Sequence, residues 1–389
     1  MLENQTVLSQ LSWLDRLLPI WIILSMALGV LLGYFVPSVR TVLNSSTIAD
    51  VSLPIALGLL WMMYPVFCKV QYEKLSKIFQ TTGVFRNLAL SVLFNWLLAP
   101  LLMAALAWAT LPDLSAYRTG VILVGVARCI AMVLIWNELA GGDREWCAVL
   151  VALNSILQVL LYGPLAYFYT VIVGKGSSID IDMWLVTRSV LIFLGIPLLA
   201  GFLTRFVLCH LCRGLLGETW YQRKFLKWIG PTSLLGLLFT IVVMFALQGH
   251  RIIDDINGVL RVAVPLILYF CIIFALAFLA CAYFRMPYPT AVTQSFTAAS
   301  NNFELAIAVA VATFGIDSPE ALATVIGPLI EVPVLLGLVY LSLWFRPHYP
   351  VVEEISAGKD EVEIVCVNPG PEAGGPSHLC ASGVMINEN

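Results

Sequence analysis

The chain has 389 residues, 60% of them hydrophobic, with only 21 Lys+Arg and 24 Asp+Glu, a charged share of 12% and a net charge of −3. That is about half the charge of an ordinary soluble domain, and the mean hydropathy is +0.91. A soluble enzyme, a disordered chain and a nucleic-acid binder are excluded, which leaves a polytopic membrane protein.

In chain order, ten apolar runs of about 20 residues are each bounded by charge, Gly/Pro or Asn/Asp. They fall near 17–36, 48–68, 86–111, 119–140, 146–173, 184–208, 228–248, 259–284, 289–314 and 321–345. Each is expected to be a helix, because backbone amides in hydrocarbon are satisfied within their own segment. No alternating ten-residue strands of a β-barrel are present. The nine cysteines lie mostly inside apolar runs and do not form a secreted disulfide framework. Residues 1–16 carry Glu3, Asp15 and Arg16, and are read as a cytoplasmic N-terminus, not a cleavable signal.

With the N-terminus inside, 14 of the 21 Lys and Arg fall on inner segments, six on outer ones, and Arg128 in mid-membrane. This bias predicts an even number of spans with both termini cytoplasmic. Residues 346–389 contain seven acids and one lysine, with frequent Gly, Pro and Ser, and read as a flexible, acidic cytoplasmic tail. Spans five and ten align so that Gln158 lies on Glu331 and Tyr167 on Tyr340, and the same offset carries Cys129 to Asn302. Five spans per half force opposite insertion. The expected fold is therefore all-α, with ten transmembrane helices in two inverted five-helix repeats, 17–173 and 184–345.

The informative residues are the polar ones in mid-span. Span four reads Gly125-Val-Ala-Arg128-Cys129-Ile-Ala-Met132, then Trp136-Asn137-Glu138; span nine reads Thr297-Ala-Ala-Ser300-Asn301-Asn302-Phe303-Glu304. A centred charge costs about 2.5–3.5 kcal/mol on insertion scales and so faces a partner or a cavity. Ser300, Asn301 and Asn302 compete with helix hydrogen bonds. Both spans are expected to break near the midplane, with two half-helix N-termini aimed into a shared cavity. Cys129, beside Arg128 at such a break, suits a soft, thiophilic substrate. Glu304 reads either as a structural partner of Arg128 or an Asn, or as a carrier of protons and substrate. Glu331, between Pro328 and Pro333, is a second candidate on a proton path, and Gln158 reads as a polar strut. Cys209-His210-Leu211-Cys212 lacks a second ligand pair for a metal. There is no phosphate loop, no His-Glu-x-x-His and no Gly-x-Ser-x-Gly, so neither an ATPase nor an intramembrane hydrolase is expected.

At these residues the sequence resembles a known family. Val126-Ala-Arg128-Cys129-Ile-Ala-Met132, Trp136-Asn137 and Thr297-Ala-Ala-Ser-Asn-Asn-Phe-Glu304-Leu-Ala-Ile are similar to the arsenite efflux permeases of the arsenical-resistance family, within the bile acid, arsenite and riboflavin transporter superfamily. The resemblance covers about 15–345 and leaves out the tail. It implies a panel and a core domain, with spans four and nine unwound and crossed in the core. It implies export of trivalent arsenic, as arsenious acid or its anion and sometimes antimonite, in exchange for protons across the plasma (inner) membrane. The family's essential cysteine maps onto Cys129 and its essential glutamate onto Glu304. Asn301 and Asn302 would then help bind substrate, Glu331 would share proton coupling, and Arg128, Ser300, Trp136, Asn137 and Gln158 would support the site. No cofactor is implied beyond the proton-motive force. Two rivals are a sodium-coupled importer of an organic anion, using Asn301, Asn302 and Gln158 for the ion, and a membrane sensor acting through its tail.

Overall fold

Apolar runs with Pro in the first turn or a capping carboxylate or hydroxyl at the start are helix-forming by composition and by capping. The computed structural model describes residues 17–70, 72, 84–174, 182–211, 217–350, 352–355 and 363–366. It places helix on every expected run. Helices α1 (Leu18–Phe35), α2 (Pro37–Leu43) and α3 (Leu53–Lys69) come first. Next are α4 (Val84–Thr110), α5 (Ser115–Val126), α6 (Met132–Leu139) and α7 (Arg144–Ile172). The second half holds α8 (Met183–Cys209), a short α9 at 217–229, α10 (Thr232–Asp254) and α11 (Ile256–Tyr283). It ends with α12 (Tyr288–Ala299), α13 (Phe303–Phe314) and α14 (Pro319–Phe345). Among the described residues six helical stretches are long and apolar enough to cross a membrane, and α1, α3, α5 and α13 are shorter apolar helices. The chain is a polytopic, mainly helical membrane protein.

Several helix starts follow from one residue each. Asp143 accepts a hydrogen bond from the Trp146 amide at 2.9 Å, Asp255 from Gly258 at 3.0 Å and Ser318 from Ala321 at 3.1 Å, opening α7, α11 and α14. The sequence places the start of the second span at 48, and this is corrected. Strands β1 (Thr47–Ile48) and β2 (Val51–Ser52) pair antiparallel, and α3 starts only at Leu53. Ala49 and Asp50 both take positive φ, 51° and 64°, which is the two-residue turn that matches strand twist.

The helices pack in two groups. In one, α10 lies along α1 and α3, and α8 packs on α3. Gly33 lets α1 approach the Ala246 backbone of α10 so closely that a Cβ there would overlap it. In the other, α5 packs on α4 and α14, and α11 on α4, α12 and α14. The tail expected from 346 begins differently: Arg346–His348 is a tight turn, and Tyr349 is buried and donates to the Met286 carbonyl at 3.0 Å. Farther on, β3 (Val352–Ile355) pairs with β4 (Glu363–Cys366). The rest of that segment, like the N-terminal 1–16, lies outside the described residues.

Candidate functional site

The two interrupted spans meet at their interruptions. At the end of α5 the backbone turns extended at Ala127 (φ −77°, ψ 118°), and at the end of α12 it does so at Ser300 (φ −76°, ψ 142°). The freed groups find each other: Arg128 and Asn301 form an antiparallel bridge. The Cys129 amide donates to the Ser300 carbonyl at 3.3 Å and the Asn302 amide to the Ala127 carbonyl at 3.2 Å. Non-helical backbone is tolerated at membrane depth only when protein satisfies it in this way.

Side chains complete the crossing. Asn301 Nδ2 donates to the carbonyls of Val124 at 2.8 Å and Ala127 at 3.0 Å, capping the C-terminus of α5. Asn302 Oδ1 accepts from the Leu305 amide at 3.1 Å, capping the N-terminus of α13. The expectation that both half-helix N-termini open into one cavity is therefore corrected. The N-terminus of α13 is closed by Asn302, while α6 has no side-chain cap. Ala131 and Met132, at the open start of α6, line a cavity of about 600 Å³. That cavity runs between α3, α6, α7 and α10 to the end of the molecule carrying Lys69, Arg144 and Lys227.

Arg128 is not paired with Glu304 or with any other carboxylate among the described residues, so its structural pairing to Glu304 is also corrected. Its guanidinium donates to Tyr269 Oη at 3.0 Å, to the Ala298 carbonyl at 3.3 Å and to the Gly125 carbonyl. Gln158 Oε1 accepts from the Arg128 backbone amide. At the equivalent place in the second half the same bond recurs: Glu331 Oε1 accepts from the Asn301 amide at 3.3 Å. Glu331 Oε1 also accepts from Ser300 Oγ at 2.6 Å, and Ser300 in turn interacts with the Cys129 side chain. Glu304 lies within electrostatic range of Cys129 and Glu331. Phe303, beside it, sits where a Cβ on Gly327 of α14 would have to be, so that glycine lets the start of α13 close on α14.

Arg128, Gln158, Ser300 and Glu331 are fully buried, whereas Cys129 is 3% and Glu304 9% exposed. All of them are buried, and neither Cys129 nor Glu304 lines the 600 Å³ cavity. Six buried polar atoms around the crossing have no protein partner: Arg128 Nε, Trp136 Nε1, Gln158 Nε2, Asn301 Oδ1, Asn302 Nδ2 and Glu331 Oε2. Each such group is costly to bury unless something other than the protein partners it. Asn137 lies elsewhere. It accepts from Thr293 Oγ1 at 2.7 Å and donates to the Asp143 carbonyl at 3.1 Å, tying the foot of α6 to α12 and α7.

Two residues at the site escaped the sequence reading. Tyr269 is the one hydroxyl in the middle of the apolar span eight, Tyr283 lying at its end. Cys147 is buried within electrostatic range of Cys129; a single cysteine in an apolar run carries no signal of that. Among the described residues no three His, Cys, Asp or Glu side chains gather as a metal site.

Comparison with known proteins adds the following. The model of the "Sodium Bile acid symporter family" matches residues 56–255. An arsenical-resistance protein Acr3 of Corynebacterium glutamicum is 46% identical over 344 residues, covering 87% of this chain and 91% of that protein. An Acr3 of Alkaliphilus metalliredigens is 32% identical, covering 88% of this chain and 96% of its own length. An uncharacterized transporter of Synechocystis is 33% identical, covering 86% and 91%.

Proposed function

The chain belongs to the sodium bile acid symporter family and to the arsenical-resistance proteins within it, and from that membership we propose that it exports trivalent arsenic, arsenite and also antimonite, in exchange for protons. It is a transporter and not an enzyme. In this reading it works in the plasma membrane with both termini cytoplasmic, and the 600 Å³ cavity is its inward-facing entrance. Three basic residues on the rim agree with the inner-face excess of Lys and Arg.

The proposed architecture is ten spans in two inverted repeats, 17–173 and 184–345. Element ends support it. At the offset that lays Gln158 on Glu331, the C-terminal ends of α4, α5 and α7 fall on those of α11, α12 and α14. The two helix groups are the natural candidates for a panel that moves against a core.

The observation that carries the site assignment is the line Cys129–Ser300–Glu331, with Glu304 beside it. Arsenious acid and a thiol exchange without redox change. An As–S bond forms, an As–O bond breaks, and the thiol proton leaves with the hydroxyl as water. Release is the reverse, with water returning the proton to sulfur. Glu304 and Glu331 take up protons when open to the outside and give them up inside. Asn301 and Asn302 hold the crossing and offer their free amide atoms to the bound hydroxyls, and Arg128, Ser300, Trp136 and Gln158 line it. Inward proton flow then drives outward movement of arsenic.

The test is arsenite uptake into everted membrane vesicles, whose acidic interior corresponds to the outside of the cell. Wild-type uptake is expected to need the pH gradient and to collapse with a protonophore. Cys129→Ser and Glu304→Gln are each expected to lose at least about 100-fold, the scale on which losing a group used in the transported state registers. Uptake by both variants at the wild-type rate would sink the assignment.

A further inference from the structure

A charge buried without a counter-ion calls for an explanation. Arg128 is fully buried, it has no carboxylate partner among the described residues, and an isolated ion in such surroundings is strongly disfavoured. What surrounds its guanidinium is oxygen of another kind. It faces the Gly125 carbonyl in the last turn of α5 and the Ala298 carbonyl in the last turn of α12. Tyr269 Oη completes the set, itself oriented by donating to the Ala298 carbonyl at 3.1 Å. Gly125 is to Ala298 in the chain as Gln158 is to Glu331, so the two carbonyls come from corresponding places in the two halves.

The C-terminus of a helix carries about half a negative charge. Two such ends converge here, and together they supply about one negative charge, which matches one guanidinium. A ring of carbonyl and hydroxyl oxygens between two helix ends is the environment in which a bare monovalent cation is held in a membrane protein.

We infer that the Arg128 guanidinium is a tethered cation that fills the carbonyl cage between the two half-helix ends, so that this chain keeps its crossing assembled with no sodium ion although its family is one of sodium symporters. The cage is formed by Gly125, Ala298 and Tyr269, and the side chain enters it from the break of span four. Arg128 is on this account a positioning residue and a determinant of ion dependence. It is not a group that touches substrate. The inference rests on the transport reading only for its kinetic arm; the cage itself is a property of the folded protein.

The experiment uses the purified full chain and its variants Arg128→Ala and Arg128→Lys, in sodium, choline and millimolar guanidinium chlorides. In the first arm thermal unfolding is followed without substrate. Sodium or guanidinium, but not choline, is expected to raise the Tm of Arg128→Ala, because an ion that binds only the folded state stabilises it. Neither is expected to raise the Tm of wild type or of Arg128→Lys above its value in choline. In the second arm arsenite transport is measured in proteoliposomes. Wild type and Arg128→Lys are expected to run equally in sodium and choline. Arg128→Ala is expected to fall at least about tenfold in choline, as when one charged hydrogen-bonding group is lost, and to recover in guanidinium or sodium.

Sodium-specific stabilisation or stimulation of wild type would overturn the inference. So would an Arg128→Ala protein that folds and gains nothing from either small cation, or that transports in choline at the wild-type rate. If Arg128→Ala does not fold, wild type and Arg128→Lys decide alone: indifference to sodium upholds the tethered cation and dependence on it refutes it. Absence of arsenite transport by wild type in every salt strikes at the proposed substrate and leaves the unfolding arm to judge the cage.

Discussion

The breaks at 127–131 and at 300–302 meet in one antiparallel bridge between Arg128 and Asn301, yet they are built from different materials. The second is Ser-Asn-Asn, three residues that disfavour a helix interior, and it supplies caps from its own side chains: Asn301 closes the end of α5 and Asn302 the start of α13. The first is Ala-Arg-Cys-Ile-Ala, mostly good helix formers. It stays open because its neighbours hold it. Gln158 takes the Arg128 amide, Asn301 takes two carbonyls of α5, and the Arg128 side chain bridges the two helix ends. One break is thus written locally and the other is imposed by tertiary contacts. The imposed one carries the thiol and opens at the start of α6 onto the cavity. A segment held open by its partners can change state when those partners move, and that is what alternating access needs.

The most severe disruption of this comparison is expected from exchanging its matched acceptors. Gln158 and Glu331 each accept from the backbone amide at the break in their own half. Glu331→Gln keeps an acceptor for both Ser300 and Asn301, so its Tm should stay close to wild type. Arsenite transport in vesicles should fall about 100-fold, because the proton-carrying charge is gone. A Glu331→Gln protein with full proton-driven transport would show that the two positions are only structural struts.

A smaller effect is expected from Asn301→Ala. It removes one of the two hydrogen bonds on each of the Val124 and Ala127 carbonyls, which keep the Ala127 and Asn302 amides as donors, at a cost of about 0.5–1.5 kcal/mol for each bond lost. Hydrogen exchange should rise around 124–131, in the imposed break, more than around its own 300–302. The reverse pattern would mean that span four opens by its own preference.

The mildest effect lies outside the crossing. At the α4–α5 turn Asp113 accepts from Arg261 Nη1 at 2.6 Å, and this guanidinium holds its carboxyl at about 2. A depressed carboxyl contributes stability above its unfolded value of about 3.9 and loses it as pH falls toward the folded value. A small loss of Tm confined to that window is expected in wild type and absent in Asp113→Asn. Transport and the crossing should be untouched in both.

Much of this molecule was legible in its sequence, for reasons that differ by region. The apolar runs mark the helices because hydrocarbon leaves them no other backbone solution, and the mid-span polar residues mark the crossing because nothing else justifies their insertion cost. The break of span nine follows from Ser300-Asn301-Asn302 alone. The break of span four could be suspected only through Arg128, since its propensities favour a helix. What that arginine does was not legible: its partners are two backbone carbonyls and a tyrosine from three other places in the chain. The hairpin at 47–52 was missed because Ile48 and Val51 look like the start of an apolar run, and its turn uses Ala49 and Asp50 where a glycine would have given the signal.

The most direct test of the central claim, that Cys129 binds the transported metalloid, is arsenic X-ray absorption spectroscopy on purified protein loaded with arsenite. The account predicts a sulfur neighbour to arsenic in wild type that disappears, leaving oxygen only, in Cys129→Ser. An oxygen-only shell in wild type, or a sulfur shell that survives in Cys129→Ser, would contradict it.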